Sequence, residues 1–264
     1  MNKESQTLQT LERGLKILSY FRVGKTEWGI TELSKELSLS KSIVHRLVST
    51  LEQEGFLEQN PITNRYRLGL KLFELGTLAV MDLDVRHFAF PVMQELAEKT
   101  GETVNLTVVN YQTFEGVCIA TVDSPQSVKF TTRVGTSLPL HWGASHKILL
   151  AFLTNQEIHK VIETKGLPQM TENTITDEEK LWHEINKIRA NGYAISREEV
   201  DIGAAAVAAP IFDREGKIAA GLTVVGPLYR LTEEKITTII PLLCERAAWI
   251  TARMGGYWQQ IDKK

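Results

Sequence analysis

Apolar residues in the opening segment recur at helical spacing. Leu8, Leu11, Leu15, Leu18 and Phe21 trace one amphipathic helix, which Gly14 weakens slightly. Gly24 to Gly29 reads as a loop, and Ile30 to Leu47 as two short helices joined by a tight turn. Thr31 and Ser40 are the expected N-caps, because a hydroxyl can accept an orphan N–H of the opening turn. Ser34 and Ser38 are small enough for a close helix crossing, which Val44 seals. On the second helix Val44, Leu47, Val48 and Leu51 fall on one stripe, which predicts its buried face. Gly55 to Gln59 and Arg65 to Leu68 flank the turn Asn60-Pro61-Ile62-Thr63-Asn64. The two-residue period turns Tyr66 and Leu68 inward and Arg65 and Arg67 outward. Helix, turn, helix and hairpin in that order predict a winged helix-turn-helix over residues 6–69.

Leu70, Leu72, Phe73, Leu75, Leu78, Ala79 and Leu83 predict a linker helix over 70–84 with few charges. Such a stripe needs a partner, either its own copy in a dimer or the first helix. Over 85–256 the pattern becomes α plus β. Helices are expected at 86–99, 144–153, 155–164 and 232–254. Another opens at a capping box, Thr176-Asp177-Glu178-Glu179, and stops at Asn191-Gly192. Strands are expected at 103–109, 115–122, 128–133, 204–211 and 218–225, the first two forming a hairpin around Asn110 to Thr113. The fold class is therefore α+β, with five strands in a mixed sheet of the kind found in small-molecule sensor domains.

At 264 residues, 43% of them hydrophobic, the chain is long enough for two domains. The formal net charge of −2 hides an asymmetry: residues 1–75 hold 11 Lys and Arg against 9 Glu, and the remainder 19 against 23 acids. Nucleic-acid binding would therefore lean on a few placed cations. Cys118 and Cys244 lack CxxC spacing, so buried thiols in a cytoplasmic protein are expected. No apolar run reaches membrane-spanning length, and Met1 to Gln6 has no apolar signal core.

The face of the second helix opposite its apolar stripe carries Ser42, His45, Arg46 and Ser49, with Lys41 at its entry. These side chains can reach base edges and phosphates from a helix in the major groove. They could equally solvate an ordinary small helix. Arg65 and Arg67 on the adjacent wing favour duplex DNA as the partner, and a protein-binding winged helix is the alternative.

Residues 203–209, Gly-Ala-Ala-Ala-Val-Ala-Ala, offer almost no side-chain volume. Such a strand either admits a close-packed helix or leaves room for a ligand. Ser145-His146 lacks a GxSxG elbow, and neighbours on a helix point about 100° apart. His141 reads as a capping or core histidine, and Glu198, Glu199 and Asp201 as a solvated loop or partners of Arg197. No catalytic residue, metal site or cofactor is expected.

The run Lys41 to Leu47, then Leu51 to Phe56 and Arg65 to Gly69, resembles the IclR family of bacterial transcriptional regulators. So do Gly135-Thr136-Ser137-Leu138-Pro139-Leu140-His141 ahead of a helix containing Lys147, Gly192-Tyr193-Ala194 before Glu198-Glu199, and Gly226-Pro227. The similarity runs from about Leu8 to Met254. It implies a GAF-like effector domain after the winged helix, and dimers or tetramers on a pseudo-palindromic operator. It also implies a repressor of a catabolic operon and a small-molecule effector such as a carboxylic or sugar acid. The implied effector-site residues are Phe130, Ala144, Ser145, Ser196, Ala204, Ala206, Thr223 and Val225. The family's small helix start is replaced here by Trp142 and His146, which are expected to reshape the cavity. Ser196 stands where the family often has an acid.

Overall fold

The computed structural model describes residues 8–22, 24–81 and 84–257. The readings of Met1 to Gln6 and of Leu83 lie outside the described residues. The chain separates into two compact units, Met1–Asp82 and Leu83–Lys264.

In the first unit, α1 (Gln9–Leu18), α2 (Ile30–Leu37) and α3 (Lys41–Gln53) precede β1 (Leu57–Gln59), β2 (Tyr66–Leu68) and α4 (Leu70–Met81). Ile17, Trp28, Leu33, Val44, Leu47, Val48, Leu57 and Tyr66 form one core, with Leu18, Phe21 and Leu51 packed against it. The rest of the first helix's stripe behaves otherwise, since Leu8, Leu11 and Leu15 are exposed. Gly29, not Thr31, caps α2, and its N–H donates to Glu32 Oε2 at 2.9 Å. Ser40 caps α3 as expected. Between the two helices Ser38 takes a left-handed conformation (φ 53°) and Ser34 Oγ donates to Leu39 O at 2.6 Å. The small serines therefore close the turn through a hydroxyl as well as by their size. β1 and β2 pair antiparallel, and Trp28 bridges to Tyr66 on the other side. Tyr66 is buried, but Leu68, expected inward, is 45% exposed because β2 has already reached its last residue there.

The second unit begins with α5 (Asp84–Thr100) and the hairpin of β3 (Thr103–Asn110) and β4 (Glu115–Val122). Next come β5 (Ser137–Pro139), α6 (Gly143–Ala151), α7 (Asn155–Lys165) and α8 (Glu178–Asn191). β6 (Ala194–Arg197), β7 (Ala204–Phe212), β8 (Ile218–Pro227) and α9 (Glu233–Arg253) complete it. The six strands lie in the order β5-β4-β3-β8-β7-β6. The class is α+β as expected, and each neighbouring pair in the sheet expected as mixed is antiparallel.

Val128 to Arg133 is not a strand. The position beside β4 is taken by β5, and side-chain bonds from Asn105 and Thr121 to Thr132 hold the 128–133 segment instead. β5 and β6, three and four residues long, are the short edge strands that alternation did not mark. Asp177, not Thr176, caps α8 by accepting the Lys180 N–H. All nine residues of β7 are buried. An alternating strand achieves that only with both faces covered, and α6 and α9 both pack against it. The missing side-chain volume thus admits close helices. Gly221 on β8 repeats the device, because a Cβ there would lie 2.7 Å from Ile148 Cγ2.

Candidate functional site

Two surfaces carry chemistry, one in each unit. On α3, Lys41, Ser42, His45 and Arg46 are exposed and Ser49 is half-buried, opposite the buried Val44, Leu47 and Val48. Ser42 Oγ lies 3.0 Å from the cap hydroxyl of Ser40, and His45 Nδ1 lies 3.4 Å from Ser49 Oγ. Among the described residues neither Lys41 nor Arg46 has an ion-pair partner, so both are free to meet phosphate or base edges.

The wing arginines differ. Arg65 donates to Glu32 Oε2 at 2.6 Å and to the Glu27 carbonyl at 3.1 Å, which ties the wing to α2. Arg67 forks onto Glu58, its direct cross-strand partner, at 3.2 and 3.0 Å. That hydrogen bond and charge hold the Glu58 carboxyl below the usual carboxylate range. Two arginines expected to point outward toward DNA are therefore already engaged, because alternation sets a side chain's face but not its neighbour. Glu58→Gln is expected to tighten DNA binding roughly two- to fivefold, the scale of one exposed ion pair. Fluorescence anisotropy at low salt measures it, and unchanged or weaker binding would contradict a role for Arg67.

In the second unit the strand register brings much of the implied effector set together. Ser196 pairs with Ala206, and Ala206 with Val225, while Thr223 lies between Ala208 and Asn105 in the next row of the same face. Ala204 starts β7, and Ala144 at the start of α6 packs in one cluster with Ala206 and Ala208. Ser145 and Phe130 are half-buried, Phe130 on the irregular segment. The Thr223 hydroxyl is buried and has no hydrogen-bond partner among the described residues.

Sequence reasoning missed Asn105, Thr121 and Thr132. Asn105 Nδ2 donates to Thr132 Oγ1 at 2.9 Å, and the Thr121 hydroxyl lies 2.6 Å from Asn105 Oδ1 and 2.9 Å from Thr132 O. The signal was available, since Thr103, Asn105 and Thr107 place polar groups at every second position of an apolar strand.

Trp142 and His146, expected to reshape the cavity, are each fixed by neighbouring groups. Trp142 Nε1 donates to Pro168 O at 2.8 Å, with His141 Nε2 3.0 Å from the same oxygen, so His141 is a core histidine as expected. His146 is buried against Gly116, and burial pulls its pKa from the ordinary 6.5 down to about 4. Ser145 Oγ does reach His146 Nδ1, at 2.9 Å, despite the angular separation of neighbouring helix positions.

In the acidic loop before β7 Asp201 is exposed as expected, whereas Glu198 is half-buried and Glu199 is buried. Lys147, on α6, is 1% exposed and bonds to Glu199 Oε1 at 2.7 Å, Glu184 Oε1 at 3.0 Å and Ile195 O at 3.2 Å. Burial pushes Glu199 up, against the pull of the Lys147 charge. Glu198 accepts the Gly203 N–H, and Arg197 pairs with Glu233 instead. The ion group forms because α6 and β6 become neighbours only in the folded sheet.

A winged helix-turn-helix followed by this sheet and its helix start is matched along nearly the whole chain. Residues 10–61 match the IclR helix-turn-helix domain, and residues 77–252 match the C-terminal part described as bacterial transcriptional regulator IclR. The chain belongs to the IclR family of bacterial transcriptional regulators. Among relatives of this IclR-family chain, the HTH-type transcriptional regulator XynR of Escherichia coli K12 is 33% identical over 250 residues, covering 95% of this chain and 98% of XynR. KdgR of the same organism is 35% identical over 229 residues, covering 87% and 86%. Among solved structures, Thermotoga maritima IclR superposes with a TM-score of 0.73 at 32% identity, over 94% of this chain and 100% of that one. An IclR homolog from Microbacterium hydrocarbonoxydans, solved with 4-hydroxybenzoate, gives 0.80 at 28% identity, over 93% and 99%. The regulator is thus a transcription factor and not an enzyme. Among the described residues no helix is long and apolar enough to cross a membrane.

Proposed function

We propose that this regulator is a cytoplasmic repressor of a catabolic operon, with DNA-binding, linker and effector segments at 6–69, 70–84 and 85–256. Its α3 enters the major groove through Lys41, Ser42, His45, Arg46 and Ser49. Arg65 and Arg67 flank it on the wing. The observation that carries this reading is the exposed α3 face, on which Lys41 and Arg46 have no ion-pair partner among the described residues. Two copies then read a pseudo-palindrome as a dimer or as half of a tetramer. Self-association is supported by the exposed Leu8, Leu11 and Leu15 on α1 and Leu70, Phe73 and Leu78 on α4.

The effector is a small carboxylic or sugar acid bound on the sheet face by Phe130, Ala144, Ser145, Ser196, Ala204, Ala206, Thr223 and Val225. The 4-hydroxybenzoate held by the Microbacterium homolog is a member of that class. The backbone N–H groups opening α6 suit a carboxylate, and the unpartnered Thr223 hydroxyl suits a ligand oxygen. An effector alters operator affinity only by its differential affinity for two states of the protein.

Thr223→Val tests the site. Removing an unsatisfied buried hydroxyl is expected to leave the melting temperature unchanged or slightly raised. An acid that releases wild-type protein from DNA should need roughly three- to tenfold higher concentration with the variant, the worth of one hydrogen bond. Identical dose–response curves in a DNA-release titration would remove Thr223 from the effector site.

A further inference from the structure

Ile62, at the tip of the wing, is 89% exposed, the highest value among the large apolar side chains of the described residues. Pro61 beside it is exposed as well. We propose that this tip lies in the minor groove next to the major-groove site of α3 and selects A·T pairs there through an apolar contact. The proposal rests on α3 reading the major groove, and it adds a base preference outside the reach of that helix.

The tip is braced from within. Asn60 Oδ1 accepts the N–H groups of Ile62 and Thr63 at 2.9 and 3.3 Å. Asn60 Nδ2 and Thr63 Oγ1 each donate to one oxygen of the Glu27 carboxylate, at 2.8 and 3.1 Å. Asn64 takes the left-handed region at φ 54°, and its N–H donates to Asn60 O at 2.9 Å. Three polar side chains thus fix the backbone while the large apolar group stands in water. A tip ordered in advance loses little freedom when it docks, which favours a contact outside the unit.

Position and charge select DNA for that contact. Gly55, at φ 76°, turns the chain at the end of α3, and β1 then packs against that helix, so the hairpin runs alongside it. The tip is therefore continuous with the surface that carries Lys41 and Arg46. Arg65 and Arg67 offset the charge of Glu27 beneath the tip, so phosphate meets no bare carboxylate there. Across one phosphate ridge from the major groove lies the minor groove, where apolar side chains can insert. Both kinds of base pair present acceptors on its floor, but G·C adds the projecting guanine amino group. Hydrocarbon laid over that amino group removes its water and offers no acceptor in return. A·T pairs leave the floor clear, so they are preferred under Ile62.

Modified duplexes test the contact, starting from one selected out of a random pool by the full chain. At flanking pairs, 2,6-diaminopurine for adenine adds the minor-groove amino group, and inosine for guanine removes it. Neither exchange alters the major-groove pattern. With the wild-type chain, diaminopurine at the contacted flank should weaken binding about fivefold or more, the scale of one donor left unpaired. Inosine at a flanking G·C pair should tighten binding. Ile62→Ala should melt as the wild type does, since the side chain is exposed. It should abolish the diaminopurine penalty while keeping the base preferences of the central site. A flank that tolerates diaminopurine at every position overturns the proposal and leaves the α3 reading standing. So does a penalty of equal size in wild type and Ile62→Ala. Failure to select any duplex sinks the α3 reading, and this proposal with it.

Discussion

Arg46→Ala is expected to weaken binding to an operator selected from a random duplex pool by about 1–3 kcal/mol, or roughly five- to 150-fold. The guanidinium is exposed on α3 and has no ion-pair partner among the described residues, so its removal breaks no contact described there. Anisotropy titrations across a salt series separate two modes of contact. A base contact relaxes sequence preference at one position, whereas a phosphate contact weakens all sequences alike and lowers the salt slope by about one. Unchanged affinity and slope would assign the helix to a protein partner instead. Arg65→Ala is a poor substitute for this test. Arg65 clamps the wing to Glu32 and Glu27, so its loss would disturb the fold and the DNA contact together.

Lys147→Met is expected to destabilise the second unit by about 3–5 kcal/mol, the usual cost of removing one partner from a buried ion group. At roughly 2–4 °C per kcal/mol for a unit of this size, its transition should fall by about 6–20 °C. Calorimetry of the full chain resolves that transition. The pH dependence has a defined sign. Glu199 is raised in the folded state by burial, so its ionisation costs stability as pH rises above the ordinary carboxylate range. Without Lys147 that cost grows, and the deficit of the variant should shrink as pH falls and Glu199 protonates. A deficit below about 1 kcal/mol at neutral pH, or one independent of pH, would show that Lys147 is not what holds the two carboxylates. Adding Glu199→Met to Lys147→Met should recover part of the loss, since it removes the more deeply buried of the two carboxylates and leaves Glu184, which is nearer solvent.

The winged helix was legible almost residue by residue. Its elements are short, its contacts are local, and the Val44, Leu47, Val48 stripe reports the buried face of α3 without reference to the rest of the chain. The identities of Lys41, His45 and Arg46 as outward groups follow from the same periodicity. The reading fell short at the α2 cap and the outer half of the first helix's stripe, and also at Leu68 and the two wing arginines, where the outcome depended on a strand's last residue or on a carboxylate brought across from another element.

The second unit divides differently. Hydrophobic alternation was enough to place β3, β4, β7 and β8, and caps and glycines bounded the helices within a residue or two. The edge strands, the irregular course of Val128 to Arg133, and the meeting of Lys147 with Glu184 and Glu199 came only with the tertiary structure. The physical reason is range. Periodicity records which face of an element leaves water, a property each segment carries by itself. Which polar groups then share that dry face is settled by strand order and register, and these join residues 37 and 52 positions apart around one ammonium.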